Sequence, residues 1–224
     1  MTNFRSVTPF VVITALLLGF GQGDAFAKKE KAPKETKETT EMVEIVMTGI
    51  AEADSKVFEP AKAIHDTLAG IENSLKTGTD AFTSALGVTQ GTPFADALAS
   101  LKANAGDSLS VAMDGVKPKI TVADAAPDNV KAAVSSLNDL VNAHVAAMDQ
   151  AKDLPAQAQA LVAAAQTLDP AAMAKQAAAN PMDVPKVLKT INNNLKAVKT
   201  TPDRVKNVTG TLTGNVEAIK GLAG

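Results

Sequence analysis

The feature that most constrains this chain is an apolar series at helical spacing. Val43, Val46, Ile50, Ala53 and Val57 are separated by 3, 4, 3 and 4 residues, and after a further step of four to Ala61 the series resumes through Ile64, Leu68, Ile71, Leu75, Gly78, Phe82 and Ala85. Alternating steps of three and four keep every member on one stripe of an α-helix, so this stretch must lay that stripe against other helices. Two consecutive steps of four, at Val57 and Ala61, form a stutter that unwinds a supercoil locally. Pro60 lies inside the stutter. A proline there lacks the backbone donor and crowds the preceding turn, which predicts a kink or a split between Phe58 and Ala61.

The same reading organises the rest of the chain. Residues 87–92, GVTQGT, form a loop, and Thr92-Pro93 offers an N-cap and a first-turn proline to a short helix with Phe94, Leu98, Leu101 and Ala105 on one face. Between Asp107 and Asp128, Gly115, Pro118 and the alternation of Lys119-Ile120-Thr121-Val122 favour an extended connection, with a short hairpin as one form of it. Pro127-Asp128 starts a long helix carrying Val130, Val134, Leu137, Val141, His144, Met148 and Ala151 at alternating steps of four and three. A third group follows Pro155, and a shorter piece runs from Asp169-Pro170 to Asn180-Pro181. Separate helices are then expected from Pro185 to Lys199 and from Thr201-Pro202-Asp203 onward. Pro127-Asp128-Asn129-Val130-Lys131 echoes Pro202-Asp203-Arg204-Val205-Lys206, which shared helix-start chemistry explains without a duplication.

The resulting expectation is an all-α fold: an elongated helical bundle of coiled-coil-like antiparallel helices with proline-started segments. Its divisions are a long kinked helix over 41–87, a short helix over 92–106, an irregular connection over 107–126 and helices over 127–224. Alanine clusters such as Val162-Ala163-Ala164-Ala165 support this, because alanine loses no side-chain entropy in a helix. They also make the core shallow, since a buried alanine contributes much less than the roughly 1.5 to 3 kcal/mol of a buried leucine or valine.

Composition restricts the chemistry. There is no cysteine, which excludes disulfides, thiolate metal sites and a lipid anchor on cysteine. Tryptophan and tyrosine are absent, and after residue 27 the aromatics are Phe58, Phe82 and Phe94, too few for a base-stacking surface, so no nucleic-acid partner is expected. His65 and His144 are the only imidazoles. Asp66 adjoins His65 and Asp139 precedes His144 by five, and neither spacing puts the carboxylate on the histidine's helix face. His144 falls on the apolar seam, as a hydrogen-bonded, semi-buried residue would. No phosphate loop or nucleophile elbow occurs, and Asn207-Val208-Thr209 is a three-residue glycosylation match of little weight. No enzyme, cofactor or metal is expected.

Charge is uneven. Residues 28–41, 42–170 and 171–224 carry net charges of +1, −8 and +5. The basic C-terminal part contains Lys186, Lys189, Lys196 and Lys199, the candidate contact residues for an anionic lipid or cell-envelope polymer.

The N-terminus supplies an address. Arg5, an apolar run from Phe10 to Phe20 and Ala25-Phe26-Ala27 read as a cleavable signal over 1–27, because the run is short for a membrane span and ends in small residues. Residues 28–40, KKEKAPKETKETT, read as a charged disordered linker. The expectation is an exported, non-enzymatic helical binding, scaffold or spacer protein, periplasmic or extracellular and not lipid-anchored. Its partners would be a protein, or another copy, met through amphipathic helices. The alternative is an amphipathic lipid-binding or membrane-active protein.

Overall fold

The computed structural model describes residues 44–114 and 117–223. The chain divides into two units, Met1–Met42 and Val43–Gly224, and everything described belongs to the second; the expected signal and linker lie outside the described residues. The fold is all-α apart from one hairpin. A helical turn α1 (Ala51–Ala53) leads through a π-helical turn, Asp54–Phe58, into α2 (Glu59–Leu86). There follow α3 (Phe94–Ala105), strands β1 (Leu109–Asp114) and β2 (Lys117–Val122), α4 (Asp128–Ala151), α5 (Leu154–Ala165), α6 (Pro170–Ala177) and α7 (Val184–Lys220).

The first helix departs from expectation at its start. Residues 44–50 are not helical: Ile45 is buried, while Val46, which the periodicity placed on the seam, is 49% exposed. Val43 lies outside the described residues. The extended segment is tied down by two side chains. Asp54 accepts from the Thr48 N–H and hydroxyl, each at 2.9 Å, and from the Gly49 N–H at 2.8 Å. Asn194 of α7 accepts from the Val46 N–H at 3.1 Å and donates to its carbonyl at 2.6 Å.

The irregularity expected between Phe58 and Ala61 is present, as a change of helix winding just before Pro60. The turn before it winds as a π-helix, with the Glu59 N–H donating to the Asp54 carbonyl five residues back. A wider turn relieves the pressure a proline ring exerts on the preceding carbonyls, and it absorbs the extra residue of the stutter. Val57, Phe58 and Ala61 are all fully buried as a result. Gly87 ends α2 at φ 78°, a left-handed conformation that suits glycine, with its N–H donating back to Ser84 and Thr83.

Leu68, Ile71, Phe82, Leu101, Leu137, Leu140, Ile191, Leu212 and Ile219 anchor one continuous core shared by α2, α3, α4 and α7. α4 buries more than the seam drawn from sequence: Ala133, Leu140 and Ala147 are buried beside Val130, Val134, Leu137 and Val141, while Met148 is 41% exposed. At Gly78 α2 lies close against α4, since a Cβ there would lie 2.6 Å from Leu140 Cδ1.

The connection after α3 is a hairpin, with β1 antiparallel to β2 and Val111 opposite Ile120. Asn138 of α4 holds its inner strand, accepting from the Ile120 N–H at 3.1 Å and donating to its carbonyl at 2.8 Å. This is the device Asn194 uses on Val46: one carboxamide satisfies both polar groups of a residue that has no strand beyond it. Pro93, rather than Thr92, caps α3, and Thr92 turns its hydroxyl to the Thr89 carbonyl. Pro127 and Asp169 open α4 and α6, the latter by accepting from the Ala171 and Ala172 N–H groups.

The largest correction concerns α7. The two helices expected on either side of Pro202 are one helix of 37 residues, with the proline inside it. The echo with Pro127 is therefore not a structural one, because Pro127 precedes a helix and Pro202 lies inside one. Val198, Thr201, Val205 and Val208 are all buried on one stripe. Both halves pack against the same core, which offsets the cost of the internal proline.

Candidate contact face and histidine network

α7 carries seven basic and two acidic residues, and its two sides differ sharply. Its inner face is the buried stripe from Ile191 to Ile219. Lys186, Lys189, Lys196 and Lys199 are all exposed, and none joins an ion pair among the described residues. At 100° per residue, Lys189, Lys196 and Lys199 fall within about 80° of each other on the side away from the core, Lys186 lies on the flank and exposed Lys206 extends the row. Asp203 sits in the same arc and interrupts it. From Lys186 to Lys206 the row spans about 30 Å of helix. By contrast the cations of α2 are neutralised locally: Lys62 pairs with Asp66 at 2.6 Å, and Lys76 pairs with Asp80.

The two histidines of the sequence reading both bond to α7, at different levels. His144 of α4 is fully buried, with Nδ1 2.8 Å from the Leu140 carbonyl and Nε2 3.0 Å from Asn215 Nδ2. A carbonyl can only accept and the carboxamide nitrogen can only donate, so the ring is neutral with its proton on Nδ1. It stacks on Phe94 at 6.2 Å between centroids, and Phe94 meets Phe82 edge-on at 6.0 Å. Burial lowers the pKa of His144, opposed by the bond to Leu140.

His65 of α2 is half-buried in a different network. Its Nε2 is 3.0 Å from the Thr201 hydroxyl, which donates its own hydrogen to the Ala197 carbonyl at 3.0 Å. Its Nδ1 is 3.3 Å from Arg204 Nη1. The same guanidinium grips Glu72 with Nη2 to Oε2 at 2.7 Å and Nε to Oε1 at 3.4 Å. Burial lowers the pKa of His65 and the Arg204 charge lowers it further, against a smaller opposite pull from Asp66 and Glu72.

The histidines' partners on α7, residues 201 and 204 against 215, are about 16 to 21 Å apart along the helix, so the imidazoles do not converge on one site. Among the described residues no group of three or more potential ligands is placed to hold a metal, and no buried side-chain nitrogen or oxygen lacks a hydrogen-bond partner. No described helix is long and apolar enough to cross a membrane.

Sequence reasoning singled out the lysines and histidines but missed their partners. Asn194 and Thr201 left a trace, since they stand at core spacing between Ile191, Val198 and Val205 and are polar where the seam wants apolar residues. The Glu72 to Arg204 pairing joins residues 132 apart and has no local signal. Neither protein families, curated proteins nor solved structures provide a match to this chain.

Proposed function

We propose that this is an exported, non-enzymatic contact protein: a helical body that presents the outer face of α7 to an anionic macromolecular partner outside the cytoplasm. The observation that carries the reading is the row of exposed lysines on the face of α7 opposite the core, which join no ion pair among the described residues. Export rests on the Arg5, Phe10 to Phe20 and Ala25-Phe26-Ala27 pattern. The apolar stripes of α2, α4 and α7 pack into one core, so contact is assigned to polar outer surfaces rather than to an open amphipathic helix. Both histidines are engaged in bonds between helices, which supports a structural use for them.

A second reading, adsorption on anionic lipid, has one observation in its favour. Met182 is 88% exposed just before α7, four residues from Lys186, and an apolar side chain beside lysines suits a lipid headgroup region. One experiment separates the two. The chain and a variant with Lys186, Lys189, Lys196 and Lys199 changed to glutamine are tested against a soluble carboxylate polymer and against phosphatidylglycerol vesicles, at low and high salt. Salt-sensitive binding to the polymer that the variant loses supports the first reading; vesicle flotation alone, lost on Met182→Asp, supports the second. Equal binding by chain and variant removes the lysine face from either.

A further inference from the structure

The network around His65 lies at the one place where α7 is short of a backbone hydrogen bond. Pro202 has no N–H, so the Val198 carbonyl lacks its helical donor, and the ring crowds the turn before it. Thr201 and Arg204 flank that gap, and both are held by α2. Helix α7 is thus stapled to α2 on both sides of its own weak point, through His65 and Glu72.

The staple accepts a single protonation state of the imidazole. The Thr201 hydrogen is committed to Ala197, so the hydroxyl must accept from His65 Nε2–H. Nδ1 must then accept, because a guanidinium has only donors to offer. Adding a proton to Nδ1 sets one N–H against another and one cation against another. The charged groups acting on His65 are Arg204 from α7 and Asp66 and Glu72 from its own helix. Asp66 is engaged with Lys62 and Glu72 with Arg204. α5, which also packs on α2, carries no ionisable side chain, and α3 and α4 contribute no group that acts on the ring.

We propose that the His65, Arg204 and Glu72 staple across Pro202 is a pH-sensitive latch: neutral His65 holds α7 as one helix, and protonation expels the Arg204 guanidinium and loosens α7 at its proline. The latch is independent of what the lysine face binds. Its sign follows from linkage. The folded pKa of His65 lies below its ordinary 6.5, so as pH falls through that value the unfolded or loosened chain takes up the proton before the latched one does. The contribution to stability is complete above 6.5 and is lost as pH drops toward the folded pKa.

The test is amide hydrogen exchange of the full chain at about pH 7.5 and about pH 5.5, a range in which histidine changes charge, corrected for intrinsic rate. Protection over residues 198–208 is expected to fall severalfold at the lower pH. His65→Gln keeps a donor for Thr201 and an acceptor for Arg204 but cannot titrate, so it should abolish the fall. His144→Gln should leave it in place. Unchanged protection in the unmodified chain, or the same fall in His65→Gln, overturns the latch. A measurement on the unmodified protein stands beside these: imidazole nitrogen shifts should show the Nε2–H tautomer and a pKa below 6.5 for His65, and the Nδ1–H tautomer or a higher pKa would equally sink it.

Discussion

Pro60 and Pro202 both stand within long helical runs, and the fold accommodates them by different means. At Pro60 the backbone changes: a π-helical turn precedes it, Val57 and Phe58 fill the core beneath, and the helix continues into α2. At Pro202 the backbone stays α-helical, and side chains from another helix bridge the gap through Thr201 and Arg204. The first solution is local and apolar, held by a few adjacent residues. The second is remote and polar, and depends on the charge state of the groups that make it. A helix breaker read from sequence therefore fixes where the backbone needs help; it does not fix whether the helix breaks.

Substitutions at and away from the two prolines probe that contrast, the largest expected effect first. Phe58→Ala removes the fully buried ring under the π turn and is expected to destabilise by about 3 to 5 kcal/mol in urea unfolding. A loss below about 1 kcal/mol would mean that packing does not hold that turn. Pro202→Ala restores the donor to Val198 and should stabilise by about 1 to 3 kcal/mol, whereas Pro60→Ala, following a turn already widened, should change stability by less than about 1 kcal/mol. Equal gains at the two sites would erase the distinction between them.

Glu72→Gln weakens the grip on Arg204 at a partly exposed pair, and a loss of about 1 kcal/mol is expected, smaller at high salt. Salt-independent loss would point to packing rather than charge. The smallest effect calibrates helix propensity in α2 away from either proline. Gly70→Ala adds a methyl in open space and should stabilise by about 0.5 to 1 kcal/mol. Gly78→Ala should gain less or lose stability, because Leu140 Cδ1 lies 2.6 Å from the new Cβ. Thermal unfolding of the pair side by side reads the difference.

The helical stripes were legible because they are a local, periodic signal. Ile64, Leu68, Ile71, Leu75 and Phe82 are buried as spaced, and so are Val205, Val208, Leu212, Val216 and Ile219. The short α6 with its Asp169 cap was legible for the same reason, as cap chemistry acts within three residues. The non-helical course of 44–50 was not. Val46 and Ile50 fit the helical spacing, but Asn194 and Asp54 hold this stretch extended, and Asn194 is 148 residues away. The lysine row was found by charge counting, and its place on the side of α7 away from the core required the packed arrangement.

By itself the sequence determined that this chain is helical, cysteine-free and amphipathic, with a net positive charge in its C-terminal part, because those properties follow from residue type and from spacings shorter than two turns. Tertiary structure alone decided that α7 runs unbroken through Pro202, that each histidine holds one neutral tautomer, and that α2 and α4 meet closely at Gly78. Each of these depends on a partner supplied from a distant part of the chain, and a hydrogen bond or a close contact has no energy until the fold brings both halves together.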